Sequence, residues 1–286
     1  MSKLTPKYEE LQSIYDISNE FYELFLGPTM GYTCGYFERD DMTGDEAQLA
    51  KFDLALGKLG LEPGMTLLDI GCGWGAGMAR AIERYDVNVI GLTLSGEQQR
   101  YAIDKLAKIP TDRTIEVRLQ GWEEFDEKVD RIVSIGAFEH FGFERYPDFF
   151  ETAYRALPAD GIMLLHNITG FDVRRAKELG LHMTFDDARF ARFIMTEIFP
   201  GGRLPSVEME QEKATAAGFT LTQLQEIGPH YVKTLKIWAD ALEAHRDEAI
   251  AVQGQEVYDR YDKYLNGCQH YFQTGHISVH QFTLQK

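Results

Sequence analysis

The sequence predicts an α/β fold, a mostly parallel sheet with helices on both faces. Short apolar runs alternate with helix-length segments between residues 65 and 166. A glycine-rich turn at 71–75 joins the first of these runs to the first helix. The length, 286 residues, lets the chain bury a large core and favours one α/β domain with an elaboration.

Residues 7–27 carry Tyr8, Leu11, Ile14, Tyr15, Phe21, Leu24 and Phe25 at mixed helical spacing, which predicts one or two helices ending before Gly27-Pro28. Thr33 to Phe37 reads as an aromatic loop broken by glycine. Thr43 with Glu46 is a capping-box pattern, so a helix follows to about Leu59, and Leu61 to Gly64 is a turn. The alternation then runs strand 65–70, helix 76–85, strand 87–92, a helix capped by Ser95 and Gln98 to about 107, and strand 114–119. A loop holding Trp122, Glu123 and Glu124 precedes strand 131–135, helix 146–156 and strand 161–166. Repeated strand–helix units imply a parallel sheet that binds ligands at the carboxyl ends of its strands.

Residues 171–216 break the rhythm. Met183, Phe185, Phe190, Phe193, Ile194, Met195, Ile198 and Phe199 recur at helical spacing, and 199–205 is a rigid turn. A helical insertion is expected here, then two helices near 230–270 and a last strand over 277–284. With no repeat or clear linker, one domain is expected, comprising N-terminal helices (1–60), a cofactor-binding core (61–168), the insertion (169–216) and a C-terminal completion (217–286).

The formal net charge of −16 argues against non-specific nucleic-acid binding, which rests on neutralising phosphates. It equally disfavours adsorption to anionic membranes. Residues 1–7 lack the apolar core of a signal peptide, and no run approaches the ~20 apolar residues of a membrane span. Cys34, Cys72 and Cys268 form no C-x-x-C pair, so reduced thiols in a cytoplasmic protein are expected.

Leu67-Leu68-Asp69-Ile70-Gly71-Cys72-Gly73-Trp74-Gly75 is the most informative segment. Its glycines let the backbone approach a nucleoside where a β-carbon would intrude. The spacing also fits a dinucleotide fingerprint. Asp69 argues otherwise, because pyrophosphate seeks a positive helix end and a nearby carboxylate repels it. A cationic cofactor is drawn in, and S-adenosylmethionine, with an ammonium, a sulfonium and no phosphate, fits. After the second strand stands Leu92-Thr93-Leu94-Ser95, without the ribose-holding acid of a nicotinamide site. Thr93 and Gln98 either bond an adenosyl group or cap a helix. Trp122 either stacks on adenine or is an ordinary loop tryptophan.

With these positions assembled, the chain resembles the mycolic acid cyclopropane synthases, a branch of the cyclopropane-fatty-acid synthase family. The likeness runs nearly end to end. It includes Tyr-Asp-x-Ser-Asn-Glu-Phe at 15–21, Tyr32 to Phe37, Leu68 to Gly75, Gly121 to Phe125, Ile135 to Phe141, Phe199-Pro200-Gly201-Gly202 and Gln281-Phe282-Thr283. The resemblance implies a Rossmann-like S-adenosylmethionine-dependent methyltransferase fold with a seven-stranded sheet. It implies methyl transfer to a double bond of a long acyl chain, a mycolate precursor held by an acyl carrier protein. The cofactor site it implies is Tyr32, Thr33, Asp69, Gly71, Gly73, Trp74, Gly75, Thr93, Leu94, Gln98, Trp122 and Glu123. It also implies a bicarbonate base cradled by Cys34, Glu139, His166, Tyr231 and Cys268, all present here. Asn167 stands where threonine is expected.

The chemistry suits these residues. An alkene is a weak nucleophile, so the methyl must be held in line and dry. The resulting carbocation is stabilised by ring faces, for which Tyr32, Phe141, Phe199 and Tyr231 are candidates and equally core residues. Ring closure needs a base too weakly nucleophilic to trap the cation, as a bare carboxylate would by forming an ester. Cys34 and Cys268 lend backbone amides to an anion, and Cys72 packs. Rival outcomes are a methyl-branched alcohol, a methyl-branched alkene, a methyltransferase for a small polar acceptor, a lipid-binding module and a nicotinamide oxidoreductase. Arg174, Arg175, Lys177, Arg189, Arg192 and Arg203 in the insertion form either a carrier-docking patch or a solvated helix face.

Overall fold

The computed structural model describes residues 4–6, 17–171 and 173–286, with the backbone alone at 173 and 174. The helical positions Tyr8, Leu11, Ile14 and Tyr15 lie outside the described residues, as does the side chain of Arg174.

Seven strands form one sheet: β1 Thr66–Ile70, β2 Asn88–Thr93, β3 Ile115–Leu119, β4 Arg131–Ile135, β5 Ile162–Thr169, β6 Thr220–Glu226 and β7 Ser278–Gln285. The order is β3-β2-β1-β4-β5-β7-β6. Strands β1 to β5 pair in parallel, and β7 runs antiparallel to both β5 and β6. Neighbouring residues face opposite ways, as the two-residue strand period requires. Leu67, Val89, Val133 and Leu164 pack against the helices Gly44–Gly57 and Ala76–Tyr85, through Phe52, Leu56, Met78 and Ile82. Leu68, Ile132, Met163 and Leu165 pack on the other face, against Phe149, Phe150 and Ala153 of helix Tyr146–Ala156 and Ala214 of helix Val207–Ala216. The strand order reverses between β1 and β4, which places a crevice at their carboxyl ends.

Six of these strands were placed from sequence. The seventh, β6, was not, because Thr, Leu and Gln alternate along it and it lies largely exposed at the sheet edge, paired only to β7. β5 runs three residues past the expected 166, since β7 matches it from Ile162↔Gln285 to Thr169↔Ser278. The expected pair of helices near 230–270 is three: Gly228–Ala244, Arg246–Gln253 and Gln255–Gln273. Gly254, at φ +87°, makes the extra break. A third core, rich in aromatics, joins Phe21, Tyr22 and Phe25 of helix Asn19–Leu26 to Tyr231, Trp238, Tyr261 and Tyr264, and reaches Trp74.

The insertion holds helices Val173–Glu178, Phe185–Phe193 and Val207–Ala216, with a single π turn over Ile194–Ile198. Its apolar residues do not all face inward as expected. Phe193 and Ile198 are buried, whereas Met183 is 61% exposed and Phe185 82%. The helices are short and only one side of each meets the body, so half of the Phe/Met pattern is outer surface. Among the described residues no helix is long and apolar enough to cross a membrane.

Candidate active site

The glycine turn follows β1. The N–H groups of Gly71 and Cys72 both donate to the carbonyl of Leu92, at 2.9 Å each, tying the turn to β2. Gly71, Gly73 and Gly75 all have positive φ, but they serve different ends. A β-carbon on Gly71 would collide with that of Ala137, and one on Gly75 would lie 3.1 Å from Ala102 Cβ. At Gly73 a β-carbon would meet nothing within 4 Å among the described residues. Of the three, only Gly73 borders open space among the described residues. Gly71 and Gly75 answer to internal packing, and Gly75 caps helix Ala76–Tyr85 rather than lining the cleft.

The other eleven expected cofactor residues line one cleft at the ends of β1, β2 and β4. Thr93 donates to Gln98 Oε1 at 2.9 Å. Ser95 caps the N–H of Gln98, but the Gln98 side chain turns to Thr93 instead of closing a capping box. Trp122 meets Phe149 edge-on and Phe141 at a tilt, so Phe141 stands on the Trp122 side of the cleft. Glu123 is paired with Arg145 at 2.8 Å. The Trp74 indole donates to Asn19 at 2.7 Å.

Asp69 does not stand as a lone anion. It is 5% exposed, burial pushes its carboxyl up to about 7, and the neighbouring Lys51 opposes that rise. Lys51 is wholly buried, donates to Thr33 Oγ1 at 2.6 Å and lies 3.8 Å from the Phe52 ring centre. Burial lowers its ammonium to about 7, with Cys34 and Asp69 opposing. Sequence reading missed this lysine, although a signal existed: Ala47, Lys51 and Ala55 follow one another at four-residue steps on the buried stripe of their helix. His140 was missed too. It is half-buried in the same cleft, its buried Nδ1 has no hydrogen-bond partner among the described residues, and desolvation pushes it down to about 4.

Beyond the cleft lie the residues expected to hold an anion. Glu139 follows β4 on a 3-10 turn, and its Oε1 accepts the Ile168 N–H at 2.6 Å. Burial raises its carboxyl to about 7 against the pull of that backbone bond. Tyr231 is buried within electrostatic range of Tyr264, Cys34, Cys268 and Glu139. The Cys34 thiol donates to the carbonyls of Gly35 and Ile227. Burial drives the Cys34 thiol upward and that of Cys268 to about 12, so neither is a thiolate nucleophile. The Gln281 oxygen accepts from Lys58 at 2.7 Å, which turns its amide nitrogen to His166 Nδ1 at 3.2 Å. With Nδ1 accepting, the imidazole proton sits on Nε2. Burial, then Lys51 and Lys58, keep His166 neutral. Lys51 acts on both Cys34 and His166 and so links this group to the cofactor cleft.

The sequence model of the mycolic acid cyclopropane synthetase family matches residues 2–282. Cyclopropane mycolic acid synthase 1 of Mycobacterium tuberculosis is 60% identical over 284 residues, 99% of either chain. The chain belongs to the mycolic acid cyclopropane synthase family. The structure of the cyclopropane synthase MmaA2 from Mycobacterium tuberculosis matches with a TM-score of 0.98 at 57% identity, covering 100% of both chains. That of the mycolic acid cyclopropane synthase CmaA1, complexed with SAH and CTAB, matches with a TM-score of 0.97 at 60% identity, again over 100% of both. Membership in the cyclopropane synthase family makes this chain an S-adenosylmethionine-dependent C-methyltransferase and sets aside the oxidoreductase and lipid-binding readings. The seven-stranded, mostly parallel sheet is that of the S-adenosylmethionine-dependent methyltransferases.

Proposed function

We propose that the enzyme transfers the methyl(ene) group of S-adenosylmethionine to a double bond of a long-chain acyl substrate, a mycolate precursor, and closes a cyclopropane ring. The observation that carries this reading is the buried group of Cys34, Glu139, Tyr231 and Cys268 beyond the cofactor cleft, in which Glu139 keeps one oxygen unpartnered among the described residues.

S-adenosylmethionine supplies the methyl group. Gly73 leaves space for its nucleoside, Thr93 and Gln98 present a hydroxyl and an amide, and Trp122 an aromatic face. Asp69 answers its cationic end. The rings of Tyr32, Phe199 and Tyr264 cluster with centroids 5.5 to 6.5 Å apart, Tyr264 near-perpendicular to the other two and Tyr32 tilted on Phe199, and would offer aromatic faces to a carbocation. Burial excludes the water that would turn the cation into an alcohol.

Bicarbonate fits the chemistry of the residues present, and when bound would supply a weakly nucleophilic base. His166 Nε2–H, the Tyr231 hydroxyl and the backbone at Cys34 and Cys268 would hold it, with Glu139 orienting its hydroxyl. Lys51 contributes the positive charge that a buried anion requires.

The acyl chain enters along the insertion, and the lipid-like detergent CTAB in the CmaA1 structure supports a long apolar guest. We place the carrier protein against Arg175, Lys177, Arg189, Arg192 and Arg203, although Glu178 and Asp186 pair with Arg175 and Arg189. Residues 1–286 act as one domain, with 169–216 as its acyl-binding part. Three unpaired, buried cysteines fit the reducing cytoplasm.

Mass spectrometry of lipids from a host expressing the chain tests the reaction. New cyclopropanated acyl chains are expected; methyl-branched alcohols or alkenes in their place would overturn ring closure.

The insertion is tested separately. An aspartate at Phe193 would meet Lys263, whose Nζ lies 3.7 Å from the Phe193 ring centre, so Ile198→Asp is the cleaner probe. An unpaired charge there costs at least ~2 kcal/mol, so acyl substrate binding should weaken by more than ~10-fold. Calorimetric affinity for S-adenosylhomocysteine should hold. Equal loss of both ligands would mark Ile198 as general core.

A further inference from the structure

A polar row crosses strands β5, β7 and β6. His166 pairs with Gln281 of β7, and Gln281 pairs with Gln225 of β6. Residues directly opposite one another on paired strands share a face, so the three side chains stand abreast at one level. His166 and Gln281 are buried, whereas Gln225 lies half-buried on the edge strand. Lys58, the C-cap of helix Gly44–Gly57, reaches this row. Its Nζ donates to Gln225 Oε1 at 2.6 Å and to Gln281 Oε1 at 2.7 Å.

An ammonium donates hydrogen bonds and accepts none, so it admits only the oxygen end of each amide. With its oxygen held there, Gln281 turns its amide nitrogen to His166 Nδ1, at 3.2 Å. A reversed amide would set its N–H groups against the ammonium and leave buried donors unpaired, which is costly. The helix end fixes Lys58 in turn, since its backbone N–H donates to the carbonyls of Ala55 and Leu56. At the other end of the row, the N–H of Ile168, two residues beyond His166 on β5, is held by Glu139 Oε1. The row therefore joins a half-buried lysine to the strand segment that carries both His166 and the backbone anchor of Glu139.

We propose that Gln281 is a positioning residue for His166, oriented by Lys58, and that this row keeps the imidazole proton on Nε2, where it can donate to an anionic base. The value of that proton for ring closure rests on the reading of His166 as a holder of the base. Lys58 and Gln281 touch no reacting atom. They act through His166, by deciding which ring nitrogen donates and which accepts.

Nitrogen NMR of protein labelled at histidine tests this without substrate, because protonated and bare ring nitrogens resonate far apart. The His166 signals are identified by their loss in His166→Asn. In the wild type Nδ1 should be bare and Nε2 protonated, and Lys58→Arg, which keeps a donor, should preserve that state. Lys58→Glu presents an acceptor instead, inverts the Gln281 amide and should place a proton on Nδ1. Gln281→Glu should do so directly, its carboxylate accepting from Nδ1–H. If the buried Gln281→Glu does not fold, the half-buried Lys58→Glu decides alone. Retained affinity for S-adenosylhomocysteine marks a folded variant, since none of these residues lines the cofactor cleft. A protonated Nδ1 in the wild type, or a bare Nδ1 in folded Lys58→Glu, overturns the proposal. Turnover judges the reading it rests on. Lys58→Glu should lose at least ~10-fold in cyclopropane formation, because the wrong tautomer turns an acceptor to an anion. Undiminished ring formation with the proton moved to Nδ1 would remove His166 from the cradle of the base and leave its positioning by Gln281 standing.

Discussion

Glu139→Gln should lower cyclopropane formation by at least ~10²-fold, the scale of losing positioned acid–base help, while S-adenosylhomocysteine affinity is unchanged. The substitution keeps the shape of the side chain and removes the charge. Glu139 sits on the turn after β4, with Oε1 on the Ile168 N–H and Oε2 directed to no protein group among the described residues. A glutamine there still fills the space but cannot orient the hydroxyl of a bound base. Methyl-branched alkene or alcohol should rise among the remaining products, since methyl transfer does not need the base. Added bicarbonate should partly restore ring formation if the defect is weak ion binding. Undiminished ring formation by the wild type in rigorously bicarbonate-free buffer would instead make a side chain the base.

The same carboxyl has a stability signature. Its folded value, about 7, lies above the ordinary 4.5, so the folded state binds the proton more tightly. That favourable contribution is present below the unfolded value and is lost as pH rises through about 7. Glutamine carries no such loss. Glu139→Gln should therefore gain in Tm relative to the wild type above neutral pH, and a variant less stable there would contradict the assigned burial cost.

The second large effect is expected at the glycine turn. Gly73→Ala should weaken S-adenosylmethionine binding by about 5- to 150-fold, the scale of an overpacking cost of ~1–3 kcal/mol, and Gly73→Val should abolish it. The β-carbon would project into space that none of the described residues occupies within 4 Å, so it should strike the ligand rather than the fold. A backbone φ of +52° strains any side chain, most of all a β-branched one, so alanine separates ligand clash from fold loss. Calorimetry with S-adenosylhomocysteine and a thermal melt read the two effects apart. Gly71→Ala is the contrast. It collides with Ala137 and should lower Tm even without ligand. Unchanged affinity in folded Gly73→Ala would remove this turn from the cofactor site.

The sequence by itself determined the alternation of strands and helices, the glycine turn and eleven of the residues that line the cleft, while Lys51 and His140 went unread. These are local matters: a two-residue or four-residue period, a capping pair, a run of residues at short spacing. It also carried the carboxylate, histidine, tyrosine and cysteines assigned to the base, but only through their joint pattern, since Glu139 or His166 alone reads as an ordinary buried group. Tertiary structure decided what depends on partners far along the chain. β6 is a strand because β7 pairs with it, and β5 reaches Thr169 because β7 runs beside it throughout. Met183 and Phe185 face outward because the body meets only one side of the insertion. Lys51 comes within electrostatic range of Asp69 and Cys34, and Glu210 within hydrogen-bond reach of Asn167, because packing brings remote helices onto two faces of one sheet. Burial then shifts their proton affinities, and burial is a property of the folded assembly rather than of spacing along the chain.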